Sequence, residues 1–499
     1  MSNFREELQK GAFVNFMGIL GKMAGPGLLI MINQLYGTAI YGIYITGNLI
    51  IELSLAFLTS GFKSGSLIFV SKYVDDEDEH HKMYLSLANA FTWGLILGIL
   101  VIVVIFFFSE PIFNSIYGTS YSERLIPLLY VMVFAIPMMA FEQVVISGSQ
   151  GLKIMKYEAI INGGLRPVLF LLLATGFYFI NSSAVGIGYG YMMAQLVVFG
   201  YSLYVFNKLF SWSGLWNAFK KFEVNTELIK FALPQNVNIT LNKFITGIDI
   251  LMLPALGASE LLVGIYGTGS MIIREVRHIK LAFSGAFNPH IIRFYKDKDF
   301  KGLSEGFSLT ANWIASLAIP VLLLLAVLNE DLLNWISSEP VSEAAFMLFL
   351  LPVPYIYCSF SLAGNIVTMT GHSMYALMNS ILIATINVAL NFLLIPKYGL
   401  AGAAMASSLA TFSITILENI EARYLANAKL HFKTVYKPHL AGIISAMLVF
   451  LVFWFNLYGS DISERTIFAV AIVVTFAAIY IGLDYKLVRK RIRRYLNKK

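Results

Sequence analysis

"GIYITG" at Gly42–Gly47 and "GIYGTG" at Gly264–Gly269 share five of six letters across a gap of 222 residues. The phrase belongs to a longer echo. Asn15, Leu20 and Lys22 in "NFMGILGK" reappear as Asn236, Leu241 and Lys243 in "NVNITLNK", and "VSKY", ending at Tyr73, falls opposite "IRFY", ending at Tyr295. More faintly, "SQG" at Gly151 and "MTG" at Gly371 each precede a short loop. Small residues recur wherever helix backbones approach closely in membranes, so the polar matches in nearly constant register carry the case for an internal duplication.

Composition sets the solvent. The chain has 499 residues, 58% hydrophobic and 13% charged, with a mean hydropathy of +0.71; soluble domains carry about 25% charged residues. The sequence therefore predicts an all-α integral membrane protein. One cysteine, Cys358, excludes an intramolecular disulfide and a multi-cysteine metal site. The polar start "MSNFREELQK" runs into an apolar stretch of full spanning length with no small-residue cleavage site, so this segment is expected to stay as the first helix.

A span needs about 20 apolar residues. Fourteen are predicted, near 11–34, 40–62, 83–108, 124–147, 155–180, 184–206, 229–253, 260–288, 305–328, 344–368, 373–395, 399–420, 438–458 and 465–485. Positive loops stay in the cytoplasm. Alternate connections place 27 lysines and arginines on one side and only Arg124, Lys397 and Arg465 on the other. Both termini are thus expected in the cytoplasm of a bacterial-type inner membrane. The tail "KLVRKRIRRYLNKK" then reads as a topology determinant that touches anionic lipid, not as a nucleic-acid arm. "DDEDEHH" at Asp75–His81 reads as a solvated acidic run, and no metal or other cofactor is expected.

An offset of about 221 residues spans six helices. An even number inserts both copies with the same orientation, giving two parallel six-helix bundles around a central cavity plus two C-terminal helices. The domains expected are an N-lobe at 1–207, a cytoplasmic linker at 208–228, a C-lobe at 229–425, and helices 13 and 14 with the basic tail at 426–499.

Six cations fall inside spans: Lys22, Arg166, Lys243, Arg274, Arg277 and Lys280. Intramembrane charge is costly and faces an aqueous cavity or a partner. Lys22 and Lys243 are repeat equivalents, as are Glu52 and Arg274. The planar fork of arginine and the point charge of lysine both suit phosphate, so Lys22, Lys243, Arg274, Arg277 and Arg166 are candidates for binding an anion such as a diphosphate. Glu52, Glu142 and Asp249 are candidates for coupling or gating, Asp249 foremost. Competing readings stay open: internal ion pairs for Lys22, Glu52, Lys243 and Arg274, snorkelling for Arg277 and Lys280, an interfacial place for Glu142 and Glu418, and pairing of Asp249 with Lys243 or a neighbouring helix. Glu52 and Arg274 are expected to approach each other in one conformational state. No GxxxxGK[ST], HExxH or GxSxG element is present, so an enzyme is not expected and transport must draw on a gradient or on substrate removal.

"LYGTAIYGIYITGNLIIELSLAFLTSGFKSGSLIFVSKY" and "FALPQNVNITLNKFITGIDILMLPALGASELLVGIYGTGSMII" resemble the polysaccharide-biosynthesis flippases of the multidrug/oligosaccharidyl-lipid/polysaccharide exporter superfamily. The resemblance rests on Gly42-Ile43-Tyr44, on Gly264-Ile265-Tyr266, on Asp249 before Ile250 and Leu251, and on "AFSGAFNPHI" before and around Pro289. It implies a bilobed protein that passes a polyprenyl-diphosphate-linked oligosaccharide to the outer leaflet by alternating access. By position, Lys22 and Arg274 match cavity cations that hold the diphosphate. The implied partners are that lipid-linked substrate, H+ or Na+ as coupling ion, membrane lipids, and polysaccharide polymerases or ligases, with no nucleic acid. Lys22 and Glu52 stand where the lipid II branch would have arginines, which favours an O-antigen or exopolysaccharide unit. The alternatives are a lipid II flippase, a cation-coupled multidrug antiporter, which the intramembrane cations oppose by repulsion, and a non-transporting scaffold for polysaccharide synthases.

In a Cys358→Ser background, a cysteine at Lys433 is expected to react with an impermeant maleimide only after the cells are opened. One at Lys397 should react in intact cells; the reverse pattern would invert the topology.

Overall fold

The computed structural model describes residues 24–341, 343–454 and 462–483, and these form helices joined by short connections. In chain order they are α1 (Ala24–Tyr36), α2 (Thr38–Tyr73), α3 (His80–Tyr117), α4 (Thr119–Met132), α5 (Ala135–Gly151), α6 (Lys156–Tyr178), α7 (Ala184–Leu209), α8 (Trp212–Lys220), α9 (Thr226–Ala255), α10 (Glu260–Glu275), α11 (Arg277–Lys296), α12 (Phe300–Val327), α13 (Asn329–Ile336), α14 (Phe346–Phe360), α15 (Leu362–Met369), α16 (Ser373–Leu425), α17 (Phe432–Trp454) and α18 (Ile462–Leu483). Among the described residues, eight helices are long and apolar enough to cross a membrane. The number rises to ten if the bent pairs α4/α5 and α14/α15 each count as one span. Lys22 and the N-terminal part of the first predicted helix lie outside the described residues, as do the basic tail and the connection before α18.

Helix bounds recur at the offset of the repeated phrase. α2 runs from Thr38 to Tyr73, and 222 residues later α10 and α11 together run from Glu260 to Lys296. Two helix pairs are bent, by 46° between α4 and α5 and by 47° between α14 and α15. α16 has 53 residues, about 80 Å at 1.5 Å per residue, far beyond a bilayer core of about 30 Å. It is interrupted by Pro396 and by Gly399, whose φ of 54° and ψ of −129° are not helical. α9 and the α10/α11 pair are not among the eight, because Asn236, Asn242, Lys243 and Asp249 on α9 and Arg274, Arg277 and Lys280 on α10/α11 dilute their apolar character.

The chain divides into two compact units, Gly21–Thr268 with Ile336–Glu339, and Gly269–Trp335 with Pro340–Lys499. In the first, the two copies of the repeated phrase pack on each other. A Cβ on Gly42 would collide with the Glu260 carbonyl oxygen, and one on Gly264 with the Thr38 carbonyl oxygen, so only glycine permits this backbone approach. Further along α2, a Cβ on Gly61 would strike the Ala232 carbonyl, and the Gly61 amide donates to Asn236 Oδ1. α9 and the start of α10 are thereby bound to α2, and the boundary between the units falls inside α10. The short segment Ile336–Glu339 joins the same unit through reciprocal bonds, Thr38 N donating to Ser338 Oγ (2.9 Å) and Ser338 N to Thr38 Oγ1 (3.1 Å).

Chain entries into helices are capped by short polar side chains. Asn225 Oδ1 accepts from Leu228 N at the start of α9, and Asp299 Oδ1 accepts from Gly302 N at the start of α12. Asn89 of α3 fixes the approach to α9, donating to the Glu223 carbonyl (2.8 Å) and accepting from Asn225 N (3.0 Å). In the second unit, Ala315, Ile319 and Leu323 of α12 pack with Ala441 and Val449 of α17 and with Ala469, Ile472 and Phe476 of α18.

Gly42→Leu or Gly264→Leu is expected to cost about 1–3 kcal/mol through overpacking, read as a lower midpoint in thermal unfolding of the detergent-purified protein. Gly176→Ala, where nothing lies within 4 Å of the added Cβ, should leave the midpoint unchanged.

Candidate functional site

Three polar clusters lie inside the first unit. Glu142 of α5 is 1% exposed, and a buried carboxylate requires compensation. It receives Arg166 Nη2 on one oxygen and Gln195 Nε2 on the other at 2.9 Å, which ties together α5, α6 and α7. Arg166 follows a single π-helical turn, Ile161–Leu165, that contains Gly163 and Gly164. This wide turn at the head of the apolar part of α6 is where the guanidinium is presented.

The second cluster joins α2 to α9. Lys243 Nζ donates to Glu52 Oε2 at 3.1 Å, and Asn48 Nδ2 donates to Glu52 Oε1 at 3.3 Å. With side chains 38% and 42% exposed, this pair is a water-accessible latch worth little in stability. Third, Asp249, buried near the end of α9, accepts from the Tyr266 hydroxyl at 2.7 Å. Two residues later on α10, Thr268 Oγ1 accepts from Asn33 Nδ2 at 2.8 Å, so the repeated phrase carries two buried polar contacts.

In the second unit Arg465 pairs with Asp331 at 3.1 Å, whereas the cations of α10 and α11 are held in other ways. α10 and α11 are predicted as one helix from the sequence, and the chain stays helical through Val276 (φ −59°, ψ −28°) in the middle of the charged stretch; the ladder only tightens there, Val276 N donating to the Ile273 carbonyl (3.3 Å) and Ile279 N to the Val276 carbonyl (3.2 Å), which also accepts from Cys358 Sγ at 3.6 Å. On one side of Val276, Arg274 Nε donates back to the Ser270 carbonyl (3.2 Å), and among the described residues no carboxylate pairs with it. On the other side Arg277 and Lys280 share the face of Tyr357, at 5.3 and 3.9 Å from the ring centre. Lys280, buried, donates to the Ser361 carbonyl at 2.9 Å. His278 lies 3.4 Å from Glu275.

Of the candidates read from the sequence, the structure joins Lys243 with Glu52 and Arg166 with Glu142, and brings Arg277 together with Lys280. Asp249 is bonded to Tyr266. Lys22 lies outside the described residues. Sequence reasoning did not single out Gln195, Tyr266 or Tyr357 as partners. Gln195 is an uncharged polar residue in an apolar span, and Tyr266 sits inside the repeated phrase, so both carried a signal; Tyr357 carried none beyond being aromatic.

A profile of the family described as polysaccharide biosynthesis protein matches residues 8–294. This chain belongs to that family. Among curated proteins no sequence matches. Solved structures show its fold. "Lipid II flippase MurJ, inward closed conformation" superposes with a TM-score of 0.74 at 13% identity, covering 95% of this chain and 100% of that one. An inward-facing multidrug resistance MATE family transporter of the MOP superfamily gives 0.69 at 16% identity, covering 82% and 98%. A MOP superfamily transporter from Pyrococcus furiosus, whose binding pocket is described as of reverse polarity, gives 0.57 at 15% identity, covering 83% and 95%. This member of the polysaccharide biosynthesis family is therefore a multi-pass membrane protein that shares its fold with MurJ and the MATE transporters.

Glu142→Gln, which leaves Arg166 without its carboxylate, is expected to destabilise by about 3 kcal/mol. Adding Arg166→Met should restore most of the loss in thermal unfolding; no recovery would show that the two residues act separately.

Proposed function

We propose that this transporter moves a polyprenyl-diphosphate-linked oligosaccharide from the cytoplasmic to the outer leaflet by alternating access, for the synthesis of a cell-surface polysaccharide. The observation that carries this reading is Arg274. It sits beside the junction of α10 and α11, with a guanidinium that no carboxylate neutralises among the described residues. A fixed cation in a low-dielectric setting binds an anion strongly and repels organic cations, which weighs against the multidrug antiporter. Lys22, Lys243, Arg277 and Arg166 are assigned supporting roles toward the diphosphate, and Glu52, Glu142 and Asp249 roles in coupling or gating, with H+ or Na+ as the coupled ion. The Lys243–Glu52 latch suits a gate because a half-exposed pair opens at little cost.

The topology that goes with this reading has fourteen spans. α1 as part of the first span, α9, α10 with α11, and the two parts of α16 on either side of Gly399 join the helices and bent pairs that qualify by composition. The lobes 1–207 and 229–425 are then the duplicated halves, joined by 208–228, with 426–499 an appendage. Packing divides the chain elsewhere because the first helices of the second half are held by Gly42 and Gly61. The compartment is the inner membrane, with both termini in the cytoplasm. MurJ shares the fold over 95% of this chain and all of its own; lipid II itself is disfavoured as substrate by Glu52, and the scaffold role by an Arg274 with no carboxylate partner among the described residues.

Native mass spectrometry of the purified protein tests the proposal. Wild type is expected to carry a polyprenyl-diphosphate species that Arg274→Ala loses, with Asp249→Asn retaining the lipid but failing to release it in cells. A wild type that binds none, even when the species is supplied, would overturn it.

A further inference from the structure

The second unit contains a groove of about 1,320 Å3 walled by α12, α14, α16 and α17. α18 supplies none of its lining. Most of the wall is aliphatic or aromatic, and Phe412, Ile416 and Ile443 along it are about half exposed, so in a multi-pass protein the groove opens to the hydrocarbon of the bilayer. One end is different. Arg423, in the last turn of α16, and Lys429, in the connection to α17, both line it, and no carboxylate pairs with either among the described residues. That connection is held in place: Lys429 N donates to Ser304 Oγ (2.9 Å), His431 N to Ser308 Oγ (2.8 Å) and Ala428 N to the Ala422 carbonyl (3.0 Å). The two cations are thus set at the mouth by a fixed backbone.

Deeper in, two turns into α17, stands His439. Its ring stacks on Phe360 with centroids 5.2 Å apart, its Nδ1 bonds the Tyr355 hydroxyl at 2.9 Å, and its buried Nε2 has no partner. When Tyr355 donates to Nδ1, the ring proton lies on Nε2 and requires an acceptor. A chain of methylenes or isoprene units offers none. A glycerophospholipid does, because its ester carbonyls lie just below its phosphate, as His439 lies below Arg423 and Lys429.

We propose that this groove is a binding site for one anionic glycerophospholipid, with the phosphate at Arg423 and Lys429, an ester carbonyl at His439 and an acyl chain along α12 and α17. The site is separate from the cations assigned to the transported substrate. Its basic mouth belongs to the loop set that the charge asymmetry places in the cytoplasm, where anionic lipid gives roughly 1 kcal/mol per basic residue. The bound lipid lies along the side of α17 next to its direct packing on α12.

The test is lipid titration of the full-length protein in detergent, read by native mass spectrometry. Wild type is expected to retain one phosphatidylglycerol at about tenfold lower concentration than phosphatidylcholine, with inorganic phosphate failing to compete. Arg423→Gln with Lys429→Gln should abolish that preference, and Ala446→Trp, which obstructs the groove without changing charge, should abolish retention. An ether-linked phosphatidylglycerol should bind more weakly than the ester to wild type and equally to His439→Phe. Equal retention of the two headgroups, or retention unchanged in both the charge and the groove variants, would overturn the site. Loss of phosphatidylglycerol in Arg274→Ala would overturn its separation from the transport site, while loss of a polyprenyl species there bears only on the transport reading.

Discussion

Backbone against backbone is the contact on which the first unit depends. Lipid tails are as apolar as the side chains of these helices, so association inside a membrane draws on van der Waals contact and hydrogen bonds, not on expulsion of water. Gly42 and Gly264 allow α2 and α10 to reach that contact, and Gly61 does the same for α2 and α9. Once these helices are joined, Asp249 meets Tyr266 and Lys243 meets Glu52. The repeated phrase is therefore an interface with itself.

Positions related by the 222-residue offset carry different charges. Glu52 on α2 and Arg274 on α10 occupy equivalent places, one acidic and one basic. In the first unit, acid and base compensate each other, as in the Glu142, Arg166 and Gln195 cluster. In the second, Arg277 and Lys280 rest on a ring face and on a backbone carbonyl, and Arg274 on its own helix. Rings and carbonyls stabilise a cation without cancelling its charge.

Within the second unit, α12 serves two purposes. Its apolar face packs with α17 and α18, while Ser304 and Ser308 near its start fix the connection that carries Lys429. In the first unit Asn89 does comparable work from the same part of α3, holding the approach to α9. In each half, a short polar residue early in the third helix restrains the segment that leaves the sixth.

The sequence by itself determined the medium and the helical class, because hydropathy is a local quantity. The bounds of α2 and of α10 with α11 recur at the 222-residue offset of the repeated letters. The positions of the intramembrane cations were legible too, since charge in an apolar run is conspicuous. Tertiary structure alone decided the rest. The bond from Cys358 to the Val276 carbonyl joins residues 82 positions apart. Which group meets a given cation depended on what lay across from it: Glu142 for Arg166, Glu52 for Lys243, the Ser361 carbonyl for Lys280. Those partners come from other helices, and the distance between two side chains on different helices is set by packing, which no periodicity along one chain encodes.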